Sequence, residues 1–483
     1  MKRSIPMRTV LICSLLLFFS VAVSAQHSDI LPNNTPEWFR KIQTELDKRT
    51  DSVNLNGNTF KLLINGVESW PCREKNVEDA DAIFMKTCFF HNDATGNDFL
   101  DLLIKKAMNG IPVFVQYDVK ASEHSKLKVF KDGLFNHYKL PNRFQKLQDA
   151  GGIAIPVNTG DWHFSTRKDH EKYLLTYHKG QPMRFIGGGM NVGDRYKYGG
   201  DPTHPVEGVG YGYRDTDYEV QGPMVSKALQ EFVDDAYRAL QQNKKLKRLG
   251  PVYTDANHEK LLDYIENIVQ KDSESFRSIG DVSIRFIDNE PEEGRDGQYI
   301  TNADLLCLKN VPRGETVTIA VPYYLPTDEF FEGLKYAATN NGVKIRLMVN
   351  SQQTDETKIS AWAARSFHRE LYRTCPKDSV KIHEWMRAPD DGFGPTHQKS
   401  IQYGIGGPFS TSSANLDYHS LRHNSEGASL VWNPEAAQKF ADMLDKDFNR
   451  SNVRFIEPNE LEKESWYKRL GQWRVRQRLR YFF

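Results

Sequence analysis

The chain has 483 residues, 39% hydrophobic and 12% aromatic, with 64 Lys and Arg against 63 Asp and Glu for a net charge of +1. That apolar content excludes a disordered chain, and the length allows two to four domains of about 100 to 200 residues each. The balanced charge excludes a globally basic nucleic-acid binder.

Lys2, Arg3 and Arg8 precede an apolar run from Val10 to Val23, and Val23-Ser24-Ala25 follows before Gln26. This charged, apolar, small-residue order is that of a secretory signal over residues 1–25, which predicts cleavage after Ala25 and an exported protein, periplasmic or secreted. The run is shorter than the roughly 20 apolar residues that cross a bilayer, and no later segment is long and apolar enough to do so. Cleavage removes three basic residues and no acidic ones, leaving a net charge of −2. Cys72, Cys88, Cys307 and Cys375 then remain in an oxidising compartment, where three full pairings are open to them. Their spacing favours disulfides or buried thiols over a metal knuckle.

Residues 26–60 read as an N-terminal extension whose helical part, Glu37 to Lys48, is expected to pack on the first domain. Ala82-Ile83-Phe84-Met85 predicts a strand, Asn97 to Met108 a helix, and Gly110 to Val115 the start of another strand. A polar stretch from Lys120 to Asp169 is expected to form helices and loops over the sheet edge. The charged segment Gln241 to Asn257 and the Gly/Asp/Glu-rich segment Asn289 to Gln298 flank a junction, placing a domain boundary near residue 250. The order then repeats: a strand at Val317 to Val321, a helix at Asp328 to Thr339, a strand at Gly342 to Val349, and a polar stretch from Ser351 to Thr396. A strand, helix, strand order repeated at a scale of about two hundred residues predicts two α/β domains, 61–250 and 251–450, each with parallel strand pairing. Residues 451–483 form a basic, aromatic C-terminal tail.

The chemistry lies in a second repetition. His170-Glu171-Lys172 recurs as His397-Gln398-Lys399, and each copy leads to an Asn in a small-residue turn, Gly188-Gly189-Met190-Asn191 and Ser412-Ser413-Ala414-Asn415. An acid follows each turn, Asp215 (preferred over Asp217) and Glu426. One His-x-Lys arises by chance in any long chain; two in matching contexts imply one composite site. Residues two apart on a strand share a face, so each His and Lys can meet the same ligand. Two imidazoles can divide nucleophile and proton-donor roles while two ammonium groups and two amides hold a phosphate. This is phosphodiester chemistry with no metal or other cofactor, predicted to persist in a strong chelator. His178 and His423 lack a partner pattern and read as surface histidines.

The chain resembles the phospholipase D superfamily, and especially its cardiolipin-synthase-like branch. The resemblance covers roughly residues 60–445 and is carried by Phe185 to Asp194, Arg214-Asp215-Thr216-Asp217 with Gln221-Gly222-Pro223, Val321 to Pro326, and Ser413 to Asp417. It implies two similar α/β/α sandwich domains packed around a central active-site cleft. It also implies that His170 is the nucleophile, forming a phosphohistidine, and His397 the acid and then the base. Lys172, Lys399, Asn191, Asn415 and the Ser413 hydroxyl would bind phosphate, and Asp215 and Glu426 would orient the histidines, paired as His170 with Asp215 and His397 with Glu426. The family's usual Asp after each lysine is replaced by Tyr177 and Gly404.

In the tail, Trp466, Tyr467, Trp473, Tyr481, Phe482 and Phe483 interleave with Lys468, Arg469, Arg474, Arg476, Arg478 and Arg480. This suits an anionic lipid interface, a helix packed on the domain or, as a third reading, a nucleic-acid contact. The reading favoured is an exported phosphodiesterase or transphosphatidylase acting on phospholipids, a monomer carrying both motif copies. The alternatives are an exported nuclease, which the duplicated chain and near-neutral charge count against, and a degenerate lipid-binding member, which the intact His, Lys and Asn residues oppose.

Overall fold

The computed structural model describes residues 31–122, 141–158, 168–244, 252–289, 297–387 and 393–478. The signal segment, the boundary near residue 250 and the last five residues lie outside them. In chain order the strands are β1 (Leu55–Ile64), β2 (Ala82–Thr87), β3 (Val113–Asp118), β4 (Ile153–Val157), β5 (Tyr173–Tyr177), β6 (Arg184–Gly188), β7 (Thr216–Gln221) and β8 (Val282–Asp288). They continue with β9 (Thr316–Ala320), β10 (Tyr324–Leu325), β11 (Lys344–Asn350), β12 (Val380–Trp385), β13 (Ser400–Tyr403), β14 (Phe409–Ser412), β15 (Leu416–Asp417), β16 (Gly427–Trp432) and β17 (Val453–Phe455).

Fifteen of these strands form one sheet, and its order exposes the duplication. From the centre outward, one half runs β1-β7-β6-β5-β2-β3-β4 and the other β8-β16-β14-β13-β9-β11-β12, edged by β17. Strands β2, β3 and β4 are parallel, as are β9, β11 and β12, and β1 joins β8 antiparallel at the centre. The strands nearest the core read as near-continuous apolar runs because helices cover both faces; every residue of β2 and β3 is buried. The crossover helices start at side-chain caps. Asp93 accepts from Gly96 N at 2.9 Å to open Ala94–Met108, and Thr327 accepts from Phe330 N at 3.3 Å to open Asp328–Thr339.

The structure differs from the sequence reading in three places. The polar stretches 120–169 and 351–396 contain strands β4 and β12 within them, because short apolar runs such as Ile153-Ala154-Ile155-Pro156-Val157 are fully buried. Strand β4 lies at the sheet edge, where Pro156 is tolerated. The N-terminal helices Glu37–Lys41 and Gln43–Thr50 lean on the second half, not the first. Buried Arg285 on β8 bonds Asp47 at 2.6 Å and Gln43 at 3.0 Å, and the helix Gln43–Thr50 packs against Tyr299–Asn310. Finally, His178 is buried and bonds Thr176 at 3.0 Å, while His423 is exposed.

The four cysteines among the described residues, Cys72, Cys88, Cys307 and Cys375, are unpaired thiols, and the last three are buried. Among the described residues no helix is long and apolar enough to cross a membrane. The C-terminal helix Trp466–Arg478 packs one face on the helix Ile359–Thr374. Buried Gln472 accepts from Arg369 at 3.0 Å, and Arg476 pairs with Glu370 at 2.5 Å while lying 4.0 Å over the Phe367 ring. Its other face leaves Trp466, Tyr467 and Trp473 exposed by 70%, 62% and 52%.

Candidate active site

Each His-x-Lys immediately precedes a central strand, β5 or β13, and each is tied by its backbone to the opposite half. His170 N donates to Ser425 O at 2.8 Å, and His397 N donates to Arg214 O at 2.7 Å. Two parallel bridges, Asp169 to Ser425 and Arg214 to Thr396, complete the stitching. The residue following each partner is an acid, so the acids cross between the halves. His170 Nδ1 meets both Glu426 oxygens at 2.9 Å, and His397 Nδ1 meets Asp215 Oδ2 at 2.8 Å. This reverses the pairing expected from sequence. Each acid lies behind the histidine of the other half because the bridges, not chain proximity, set the register. Asp217, the rejected competitor, pairs instead with buried Arg73 at 2.8 Å.

The two acids are held differently. Glu426 accepts from Ser413 Oγ at 2.5 Å and from Asn424 Nδ2 at 3.3 Å, and Ser413 Oγ in turn accepts from Gly427 N at 3.0 Å. Ser413 is thus a carboxylate anchor here. Asp215 accepts from Thr216 N at 2.8 Å, and it lies so close to the first turn that a Cβ at Gly189 would fall 2.2 Å from its Oδ1. That contact explains why this turn needs a glycine.

Both lysines turn back on their own motif. Lys172 Nζ donates to His170 O, while Lys399 Nζ donates to His397 O at 2.5 Å and lies 2.8 Å and 3.2 Å from the two ring nitrogens of His397. Asn191 is oriented by Phe89 N, 2.9 Å from its Oδ1, and donates to Tyr196 Oη at 2.8 Å. Asn415 is buried beside the second turn. Tyr177, at the first missing Asp position, donates to Asp272 at 2.9 Å, and Gly404, at the second, takes φ +90° to open the turn after β13.

Burial and the two lysines dominate the electrostatics. His170 is pushed down to about 3, first by burial and then by Lys172 and Lys399 against the pull of Glu426. Glu426 is held down at about 2 because His170, Lys172 and Ser413 outweigh its burial. The pair therefore rests as a neutral imidazole donating Nδ1–H to a carboxylate, leaving Nε2 with a free lone pair. His397 is lowered by burial and by Lys399. Lys399 is pushed down to about 7 by burial and, against Asp215, by Lys172. Lys172 is also lowered by burial.

Supporting residues escaped the sequence reading. Buried Lys86 on β2 sits among Glu171, Asp235 and Asp169, the last at 3.2 Å. Buried Arg214 clasps Asp447 at 2.9 and 2.6 Å, and Gln398 donates to the same carboxylate at 3.1 Å. Tyr213 stacks on the His397 ring at 5.4 Å and 15°, and Tyr196 meets it edge-on at 5.3 Å. Apart from Glu171 and Gln398 inside the two His-x-Lys copies and Arg214 adjoining Asp215, no local pattern marks these residues.

A family model described as cardiolipin synthase, phospholipase-D-like domain, matches residues 311–448. Cardiolipin synthase of Listeria monocytogenes serotype 4a (strain HCC23) is 24% identical over 401 residues, 82% of this chain and 70% of that protein. Cardiolipin synthase A of Pseudomonas putida (strain W619) is 26% identical over 429 residues, 86% of this chain and 74% of that protein. The crystal structure of phosphatidylserine synthase from Haemophilus influenzae Rd KW20 shares the fold, with TM-score 0.61 at 13% identity over 92% of this chain and 100% of that one. With the duplicated sheet and its paired motifs, these likenesses make the chain similar to the phospholipase D superfamily, and within it to the cardiolipin-synthase-like branch.

Proposed function

We propose that the protein is an exported phosphodiesterase or phosphatidyltransferase acting on phospholipids through a phosphohistidine. The observation that carries this reading is the pair of crossed dyads, His170 with Glu426 and His397 with Asp215, flanked by Lys172 and Lys399. In the first step, His170 Nε2 attacks phosphorus, a P–N bond forms, and the P–O bond to the alcohol breaks. Glu426 stabilises the cationic ring that results, and the departing oxygen takes a proton from His397 Nε2. The phosphodiester's negative charge opposes the lowering of the His397 and Lys399 proton affinities, so substrate itself favours the protonated acid. In the second step, water or an alcohol gives its proton to His397 as it displaces His170 from phosphorus. Lys172, Lys399, Asn191 and Asn415 are the donors proposed to counter charge on the equatorial oxygens.

The substrate class is supported by the cardiolipin-synthase likeness, and export by the signal-like order of residues 1–25. Membrane contact is supported by the C-terminal helix, whose free face joins Trp466, Tyr467, Leu470 and Trp473 to the cations Lys468, Arg474 and Arg478. Rings at headgroup depth with cations beside them fit an anionic phospholipid bilayer.

The test incubates the purified mature chain with phosphatidylglycerol vesicles, with and without glycerol and chelator, and with single-stranded DNA. Lipid turnover that survives chelation and is lost in His170→Ala and His397→Ala is expected. Turnover of DNA alone would replace the phospholipid reading with the nuclease. Sedimentation with anionic vesicles should fall in a Trp466→Ser/Trp473→Ser double variant; unchanged sedimentation would remove the tail from the membrane contact.

A further inference from the structure

His397 is bordered by a cluster of polar groups that the phosphate chemistry does not use. The Tyr213 ring that stacks on His397 donates its hydroxyl to Glu356. Arg195 Nη1 meets Glu356 Oε1 at 2.9 Å and Tyr213 Oη at 3.1 Å, and Tyr323 Oη donates to Glu356 Oε2 at 3.2 Å. These residues come from four separated segments of both halves. Tyr213 is buried, but the Arg195 and Glu356 side chains remain 38% and 39% exposed, so solutes can reach them.

Three features define what the cluster could hold. A carboxylate can accept about four hydrogen bonds, and Arg195, Tyr213 and Tyr323 supply three. The Arg195 cation already balances the Glu356 charge, which argues against a cationic amine as ligand. The groups that meet in the cluster are phenols, a carboxylate and a guanidinium, which suit a hydroxylated ligand better than an acyl chain. The mirrored position in the other half differs. Phe90 bridges Val192 as Tyr324 pairs with Leu416, so Phe89 is the counterpart of Tyr323 and has no hydroxyl. Burial opposes ionisation of Glu356, but Tyr213, His397 and Arg195 together hold its carboxyl below the ordinary value, so it stays an acceptor.

We infer that Glu356, Arg195, Tyr213 and Tyr323 form a subsite for the hydroxyl groups of a small polyol alcohol, the group that leaves or enters at phosphorus. The inference rests on His397 being the acid and base, because an alcohol opposite the His170 nucleophile must lie on the His397 side. Glu356 and the Tyr323 Oη would both accept from hydroxyls beyond the reacting oxygen, favouring glycerol-like alcohols over simple ones.

Calorimetric titration of the mature chain with glycerol phosphate and with ethyl phosphate tests this without turnover. Wild type should bind glycerol phosphate about tenfold more tightly, the scale of one or two net hydrogen bonds, and Glu356→Gln and Tyr323→Phe should erase the preference. Equal binding of both phosphates by wild type would overturn the subsite. In transfer from phosphatidylglycerol vesicles, both variants should raise the KM for glycerol about tenfold with ethanol transfer little changed. An equal loss with both alcohols would reduce Glu356 to a support for Tyr213 and overturn the subsite alone. A wild type that prefers glycerol phosphate yet turns over no phospholipid would sink the proposed function and leave the subsite standing.

Discussion

The regions behind His170 and His397 share a backbone and differ in charge. Tyr173 on β5 pairs with Lys86 on β2, and Ser400 on β13 pairs with Ala320 on β9, so Lys86 and Ala320 occupy mirrored positions. Beside them Glu171 mirrors Gln398, and Asp235 mirrors Asp447 in the corresponding helix. Behind His170, an inserted ammonium therefore answers a cluster of carboxylates. Behind His397, a single carboxylate is satisfied by Gln398 and by Arg214 reaching across from the other half. The difference teaches that the duplicated sheet determines where side chains lie, while individual substitutions determine which protons they carry.

The sharpest way to break this comparison is to delete each histidine and vary the leaving group. With an ordinary phospholipid both alanine variants should lose about 10²-fold or more, because each removes a proton-transfer or nucleophilic role. With a p-nitrophenyl phosphodiester, whose leaving group needs no acid, His397→Ala should still release a burst of p-nitrophenol and accumulate phosphoenzyme, whereas His170→Ala should lose about 10⁴-fold. Phosphoenzyme in His170→Ala but not in His397→Ala would exchange the two roles.

The crossed dyads come next. Glu426→Gln and Asp215→Asn should each lower kcat about 10²- to 10⁴-fold by releasing the ring orientation their carboxylates impose. A double-mutant cycle should show Glu426 coupled to His170 and Asp215 to His397. Strong coupling within each half instead would contradict the crossing.

Much of this site was legible in the sequence as a set and little as a geometry. The repeated His-x-Lys, the Asn turns and the two acids announced themselves through duplication. The strand and helix order followed from apolar periodicity, with Asp328–Thr339 read to the residue. The crossing was hidden because it depends on bridges between Asp169 and Ser425 and between Arg214 and Thr396, residues 256 and 182 apart in number. Lys86 was hidden for another reason. A lysine inside Ala82–Thr87 looks like a solvated strand end, and only its burial among three carboxylates from β5's approach and the helix Met224–Asn243 shows otherwise.

That buried lysine supplies a stability contrast. Lys86→Met leaves Glu171 and Asp235 without their shared cation and should cost about 3–5 kcal/mol, measured by urea unfolding. Gln398→Leu on the mirrored side removes one donor from a carboxylate still held by Arg214, and should cost about 1–3 kcal/mol. Equal losses would mean that the two networks carry equal weight despite their different charges.

The smallest effect is set by the two lysines. Lys172 donates to the His170 carbonyl, whereas Lys399 also lies against both ring nitrogens of His397, so its charge state bears directly on that ring. Burial and Lys172 together bring Lys399 down from 10.5 to about 7, so its ammonium is present below that pH and lost as pH rises through it. Phosphate binding by the free enzyme should weaken in the same window, and kcat/KM should fall by up to about tenfold per pH unit above neutrality. Arginine stays protonated throughout, so Lys399→Arg should keep its remaining activity flat across that window even if the longer side chain lowers the plateau. A wild-type profile already flat from pH 6 to 9, or an unchanged limb in Lys399→Arg, would assign the titration elsewhere. Either result would also remove the electrostatic link between Lys399 and the His397 side of the cleft.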